Sequence, residues 1–257
     1  MPLLTTPAIV LASMKLGEAD RLVTFFTEKK GKMKGVAQGA RRMKSRFGAA
    51  LEPFSHINLI LFEKGGDRLH RVNQADITQS FQKLREAWDT IKRGSHMVHL
   101  VGKMTPDEEP NPAIYRLLCD GLSFMERGLN LPLSSLLFVI KLVHHSGYQP
   151  HWDSCLKCKA PTLQQQVYFS PPDGGTFCAR CSHGRSHLIS VSAGTLAFLR
   201  AMQRMDQQTV HRLKPTPFIQ REIEALFGEH LAYISGRPLS MLAKEHREVP
   251  QLVCDPV

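Results

Sequence analysis

Four of the six cysteines stand in two pairs, Cys155-x2-Cys158 and Cys178-x2-Cys181, with 19 residues between the pairs. No other feature restricts the fold of this chain so tightly. Two residues between thiols let both sulfurs turn onto one ion, and two such knuckles complete a tetrahedron. Between the pairs lie Tyr168-Phe169 and then Pro171-Pro172-Asp173-Gly174-Gly175, the strand and turn of a zinc ribbon or knuckle. One Zn2+ is the expected ion, although a redox dithiol pair or an iron–sulfur cluster would use the same sulfurs. Four thiolates leave no open position for water, so the expected role is structural. His183 and His187 follow closely as substitute ligands, with less regular spacing. Cys119 falls in an apolar stripe and reads as a small core residue; Cys254 has no evident partner.

The charge points elsewhere in the chain. Lys and Arg number 33 against 23 Asp and Glu, a formal net charge of +10. Eight of those cations fall within residues 29–46: Lys29, Lys30, Lys32, Lys34, Arg41, Arg42, Lys44 and Arg46. The chain average would place about 2.3 there. No acid occurs between Glu28 and Glu52. Charge that serves solubility is scattered, whereas charge that meets phosphate is bunched, so these eight are the candidate phosphate contacts. Aromatic residues make up only 7% and none lies between Lys29 and Arg46, which leaves Phe47 as the nearest base-stacking candidate. The apolar fraction of 42% is that of a globular chain. The longest mostly apolar stretch, Leu131 to Val143, holds Lys141 and is too short to span a bilayer. The first 20 residues have no basic run ahead of an apolar core, so the expected compartment is the reducing cytoplasm.

Periodicity divides the chain in two. Ala8–Ser13, Arg21–Thr27, Met33–Gln38, Leu51–Phe62 and Leu69–Ile77 read as strands, joined by turns at Leu16–Asp20, Glu28–Gly31 and Gly65-Gly66-Asp67. In the fourth, Ile57, Leu59 and Leu61 share one face. Five short strands predict a small barrel, either an oligonucleotide-binding (OB) barrel or an SH3-like one. From residue 80 the period is helical. Phe81, Leu84, Trp88 and Ile91 predict a first stripe, Ile114 to Met125 a second, and Leu133 to His145 a buried third, capped by Gly147. Ser192 and Thr216-Pro217 read as starts of two later helices, the last ending at Gly236. The acidic run Asp107-Glu108-Glu109, broken by Pro110 and Pro112, reads as a solvated loop. Gly94-Ser95-His96-Met97 matches a cloning scar, but its place in mid-chain favours coincidence. The fold class is therefore α+β: an N-terminal OB-fold β-barrel over residues 1–79, a central helical region over 80–150, a four-cysteine zinc-binding insertion over 151–190, and a C-terminal helical region over 191–257 that packs with the central one.

Enzyme signatures are missing. There is no G-x-x-x-x-G-K-[ST], no G-x-S-x-G and no H-E-x-x-H. His246-Arg247-Glu248 follows both cysteine pairs, the wrong order for a zinc deaminase. A binding protein is the expected class.

Several runs carry a family likeness. Leu16-Gly17-Glu18-Ala19-Asp20-Arg21-Leu22 leads to Phe26-Thr27-Glu28-Lys29-Lys30-Gly31-Lys32. Then come Gly39-Ala40-Arg41-Arg42-Met43-Lys44-Ser45 and Leu51-Glu52-Pro53-Phe54. Gly147-Tyr148-Gln149-Pro150 precedes the first cysteine pair; Tyr168-Phe169-Ser170 and Gly174-Gly175 precede the second. Gly236-Arg237-Pro238-Leu239-Ser240 closes the series. In this order and spacing the chain resembles the bacterial RecO DNA repair proteins. The resemblance implies an OB domain, a helical bundle and a zinc-binding insertion. It implies an ATP-independent recombination mediator that binds single- and double-stranded DNA and anneals complementary strands. With RecR it would help load RecA onto DNA coated by single-strand-binding protein (SSB), whose acidic, apolar tail it would dock; RecF is a further partner. For that tail, Phe138, Lys141 and Leu142 are the candidate residues. Two departures are specific to this chain. Relatives do not all keep the four cysteines, and Met43 stands where the family pattern is more often basic or polar. The competing readings are a zinc-containing nucleic-acid-modifying enzyme and an RNA-binding zinc protein.

Overall fold

The computed structural model describes residues 2–63, 69–128, 131–162, 166–205 and 209–236. The turn expected at Gly65-Gly66-Asp67, residues 237–240, His246–Glu248 and Cys254 lie outside them.

Strands β1 (Leu3–Leu16), β2 (Asp20–Thr27), β3 (Gly31–Ala37), β4 (His56–Phe62) and β5 (His70–Gln79) close a barrel in the order β1-β2-β3-β5-β4. All pairings are antiparallel except β3 with β5, where Gly35 faces His70 and Val36 faces Arg71. This is the OB arrangement, which settles the choice between the two barrels. β1 is long enough to serve both neighbours, pairing with β4 over Leu3–Ile9 and with β2 over Ala8–Leu16, with an irregularity between Val10 and Ala12. Alternation fills the interior with Val10, Val23, Phe25, Met33, Ile57, Leu59, Leu61 and Val72. Phe47, Ala50 and Leu51 plug one end from a 3-10 turn, Gly48–Leu51. The fourth strand therefore starts at His56 and not at Leu51, because the plug consumes the intervening residues.

Helices α1 (Trp88–Met104), α2 (Pro112–Glu126), α3 (Leu131–His145), the one-turn α4 (Ala179–Ser182), α5 (Ala193–Arg204) and α6 (Pro217–Ser235) follow, with a small sheet of β6 (Val167–Ser170), β7 (Gly175–Cys178) and β8 (Ile189–Val191). The caps are local and follow the sequence. Ser192 and Thr216 accept hydrogen bonds from the Thr195 and Ile219 amides. Gly147, at φ +80°, donates to the His144 carbonyl while Tyr148 donates to that of Val143. The stripe predicted from Phe81 is not one helix. Phe81 has φ +52°, Leu84 sits in a 3-10 turn, and α1 starts at Trp88, which is 66% exposed. Phe81 and Leu84 still reach the core, but from a loop. Gly94 is an integral part of α1, packed against Leu84 and Phe54.

One continuous core joins the outer face of the barrel (Ile9, Leu11, Phe26) to α1, α2, α3, α5 and α6. The joint is also polar. The Lys32 ammonium donates to the carbonyls of Gly102 (2.8 Å) and Thr105 (2.5 Å), where α1 ends, and pairs with Asp107 at 3.0 Å. A cation there satisfies the carbonyls that a helix C-terminus leaves open. The Glu108 amide donates to the Lys32 carbonyl (2.8 Å), and the Glu108 carboxylate meets His70 at 3.0 Å. The acidic run is exposed, as expected, but it is also a strap docked on β3. Gly31 makes room for it. A Cβ at Gly31 would lie 1.9 Å from the Glu109 carbonyl oxygen, and its φ is +66°.

These contacts set two expectations for stability. Gly31→Ala is expected to cost more than the about 1–2 kcal/mol of a left-handed alanine, and more than Gly17→Ala. Gly17 has the same backbone sign, φ +61°, with open space around it. Equal losses in denaturant titrations of the two variants would contradict the strap contact. The second concerns His230, which is buried and donates from Nε2 to the Tyr148 carbonyl at 2.8 Å, while its Nδ1 has no partner among the described residues. Burial lowers its pKa from 6.5, against a smaller upward pull from that carbonyl. The unfolded chain then binds the proton more readily, so stability is complete above 6.5 and declines as pH falls below it. The melting temperature is expected to fall from about pH 7 to about pH 5.5, and less steeply in His230→Gln, which keeps a donor for Tyr148. Parallel curves would contradict this.

Candidate metal centre and nucleic-acid interface

The first cysteine pair sits on a loop that pairs with the edge of β7. His151 donates to the Gly174 carbonyl, Thr176 donates to that of His151, and Leu156 to that of Thr176. The Arg200 guanidinium ties this loop to α5 through the Trp152 carbonyl (2.9 Å) and Asp153 (3.0 Å), and Trp152 packs edge-on to Phe227 of α6. The knuckle itself turns at Lys159, φ +60°, whose amide donates to the Cys155 carbonyl. Cys178 ends β7 and Cys181 lies in α4. Gly175 lets the halves meet, since a Cβ there would come within 2.8 Å of the Leu156 side chain.

The four cysteine sulfurs all lie within 4.8 Å of one another, and Cys158 and Cys178 are 3.7 Å apart. A tetrahedron with about 2.3 Å metal–sulfur bonds has sulfurs about 3.8 Å apart, far beyond a disulfide. The donor set fits a metal ion. Burial pushes the Cys155 thiol up, but the amides of Cys158, Cys178 and Lys157 outweigh it and hold the group at about 6. The Cys181 thiol, hydrogen-bonded to Cys178, is pushed up to about 12. Packed thiols cannot all ionise together without a cation, and a divalent ion supplies the missing charge. His183 and His187 are exposed and do not join the cluster. Burial raises the thiol of Cys119 to about 11, as suits a core residue.

The eight basic candidates fall into two groups. Lys29, Lys30, Lys32 and Lys34 belong to the β2–β3 hairpin and are largely engaged. Lys29 donates to the Thr5 carbonyl, Lys30 lies 3.8 Å from Glu63, and Lys32 and Lys34 share Asp107. Burial alone would raise the Asp107 carboxyl, but the two ammonium donors hold it below its usual value. The acid-free strip is acid-free in sequence and not in space. Arg41, Arg42, Lys44 and Arg46 form the second group, all exposed, and no carboxylate pairs with them among the described residues. Their loop is braced. The Gly39 amide donates to Asp20, the Arg41 amide to the Ala19 carbonyl, and the Arg41 guanidinium to the carbonyls of Gly17 and Glu18. Phe47, only 4% exposed, anchors the loop in the barrel, with Arg46 over its ring at 5.0 Å. It is a plug and not a stacking surface.

Phe138 and Leu142 are both fully buried, so they present no apolar surface to a peptide; only Lys141 of that trio reaches solvent. Among the described residues α3 is a central core helix, so Phe138 and Leu142 line no open groove there. The knuckles, on the other hand, carry exposed cations that the charge run in the sequence does not include: Lys157, Lys159 and Arg180. They lie too far apart in sequence to register as a run, and the folded knuckles bring them to one end of the ribbon. No helix among the described residues is long and apolar enough to cross a membrane.

A closed OB barrel fused to a helical body, with a four-cysteine ribbon held on that body, is the architecture of a nucleic-acid-binding scaffold. Comparison with known families makes this specific. Residues 1–81 match the family model described as recombination protein O N terminal, and residues 85–242 match recombination protein O C terminal. The chain belongs to the RecO family. It is 36% identical over 233 residues to the DNA repair protein RecO of Myxococcus xanthus, covering 90% of this chain and 92% of that one. It is 30% identical over 231 residues to that of Alkaliphilus metalliredigens, covering 89% and 92%.

The metal centre predicts one ion per chain, bound by four sulfurs at about 2.3 Å in X-ray absorption. Cys155→Ser or Cys178→Ser is expected to lose the ion and loosen the ribbon. Nitrogen or oxygen ligands in the wild-type spectrum would contradict the assignment.

Proposed function

We propose that this protein is an ATP-independent DNA-binding mediator of homologous-recombination repair, working in the cytoplasm on the nucleoid. It anneals complementary single strands and, with RecR, helps load RecA on DNA coated by SSB, with RecF as a further partner. The observation that carries the reading is the braced, carboxylate-free loop Arg41–Arg46 on an OB barrel, in a chain whose relatives are DNA repair proteins.

Annealing is limited by repulsion between two phosphate backbones, and a protein lowers that cost by holding each backbone on its own cations. Arg41, Arg42 and Arg46 fork to phosphate oxygens, and Lys44 acts as a point charge. Lys157, Lys159 and Arg180 give the ribbon a second basic face for the partner strand. Lys32 and Lys34 are committed to the strap and contribute less. Phosphate contacts read no sequence, so annealing is general. Cys155, Cys158, Cys178 and Cys181 would hold one Zn2+, whose binding energy becomes folding energy for the ribbon. The role needs no catalytic group. Asp107 and Glu108 face lysines and a histidine and do not converge on a site for a second ion, which counts against a nucleic-acid-modifying enzyme.

The test is annealing of complementary SSB-coated strands with no nucleotide present. The wild-type chain is expected to accelerate it, and R41E/R42E/K44E to slow it by about tenfold or more with an unchanged melting temperature. Undiminished annealing would place the DNA elsewhere, and tighter binding to structured RNA than to single-stranded DNA would favour an RNA-binding role.

A further inference from the structure

The four sulfurs of the ribbon are not equivalent. Cys155 is sealed from solvent, and its sulfur accepts the amides of Lys157, Cys158 and Cys178. Cys178 is held at the end of β7 by its pairing with Val167, and its sulfur accepts the Cys181 amide. Cys178 and Cys181 are half-buried, whereas Cys158 is exposed. The Cys158 Sγ lies 3.7 Å from that of Cys178, on the opposite knuckle. Burial keeps an oxidant away from a sulfur, so the exposed thiolate reacts first. Lys157 and Lys159 flank Cys158, both exposed, and such cations stabilise negative charge as it moves to a departing oxygen. Cys119, the other cysteine among the described residues, packs against the core of the helical body and lies outside the cluster.

One exposed thiolate with a second beside it is the arrangement that a two-electron oxidant converts to a disulfide. We infer that Cys158 and Cys178 are a peroxide-responsive pair whose oxidation opens the metal centre. The Cys158 thiolate attacks one oxygen of hydrogen peroxide. The S–O bond forms, the O–O bond breaks, and the departing hydroxide takes a proton to become water. Cys158 is then a sulfenic acid. The Cys178 thiolate attacks that sulfur; the S–S bond forms, the S–O bond breaks, and a second hydroxide leaves as water. In sum, two thiolates, one peroxide and two protons give one disulfide and two waters. The sulfurs lose two electrons and the peroxide gains them. Cys155 and Cys181 are then the two remaining ligands where a closed site has four, so the ion is released. The disulfide joins the two knuckles, but the ribbon loses the folding energy that the ion supplies. One consequence rests on the reading of Lys157, Lys159 and Arg180 as a second basic face: oxidation disperses that face and leaves the Arg41 loop on the barrel intact.

The experiment treats the full zinc-loaded chain with hydrogen peroxide. Released zinc is followed with a metallochromic dye, and disulfides are mapped by mass spectrometry after alkylation. The expected result is loss of the ion in step with one disulfide, Cys158–Cys178, and its return when a dithiol and Zn2+ are added. Dimedone, which traps sulfenic acids, is expected to label Cys158 when present during oxidation. Retention of the ion while free glutathione in the same tube is oxidised would overturn the pair. So would a main product within one knuckle, Cys155–Cys158 or Cys178–Cys181, or a main dimedone adduct on any other cysteine. Annealing by the oxidised chain is expected to slow by about threefold or more, with single-strand affinity within about twofold of the reduced chain. If the disulfide forms and annealing is unchanged, the pair stands and the ribbon drops out of the annealing reading. If no disulfide forms while R41E/R42E/K44E still slows annealing, the pair fails and the function stands.

Discussion

The Lys32 ammonium is the pivot of this molecule. It comes from the middle of a barrel strand, yet its acceptors are the last carbonyls of a helix about 70 residues later and a carboxylate on the strap behind it. Placing a cation at a helix C-terminus satisfies groups that the helix cannot satisfy itself. Here the same contact fixes the barrel on the helical body. The fit is steric as well as ionic, because the strap backbone passes where a side chain at Gly31 would stand. The outer face of the barrel then belongs to the core of the helical body, while the barrel interior keeps a core of its own.

This joint redistributes the charge of the chain. A run of eight cations could have formed a single basic belt. Instead the hairpin lysines are tied down by Asp107, Glu63 and a carbonyl, and the arginine-rich loop is left to face solvent. The ribbon adds cations at a separate place. The result is a molecule with basic surfaces of two origins, one braced by hydrogen bonds on the barrel and one carried by the cysteine knuckles, in keeping with a family of DNA repair proteins.

What could be read from sequence was what is decided locally. The cysteine knuckles, the Ser192 and Thr216 caps, and the turns at Gly147 and Gly236 depend on residues a few positions apart, and each stands as read. The alternation of Ile57, Leu59 and Leu61 placed them inside correctly. Contacts across long loops were not legible. Asp107 and Lys32 are 75 positions apart, so the docking of this exposed strap on the barrel was not legible. The spacing of Phe81, Leu84, Trp88 and Ile91 mimics a helix, but a left-handed residue at Phe81 and an extended one at Ala87 break it. Phe47 looked available only because its burial comes from the barrel interior. Lys141 was legible as a surface lysine, whereas Phe138 and Leu142 beside it belong to the core.

The central claim is that the loop from Arg41 to Arg46, and not the hairpin lysines, carries the phosphate contacts. The most direct measurement is the slope of log K against log salt for a single strand. Four loop contacts give a slope of about −2.8. Neutralising Arg41, Arg42, Lys44 and Arg46 to Gln should reduce the slope by about 2.8. Neutralising Lys32 and Lys34 should change it by less than about one. A slope that survives loss of the loop and collapses with loss of the hairpin lysines would contradict the account.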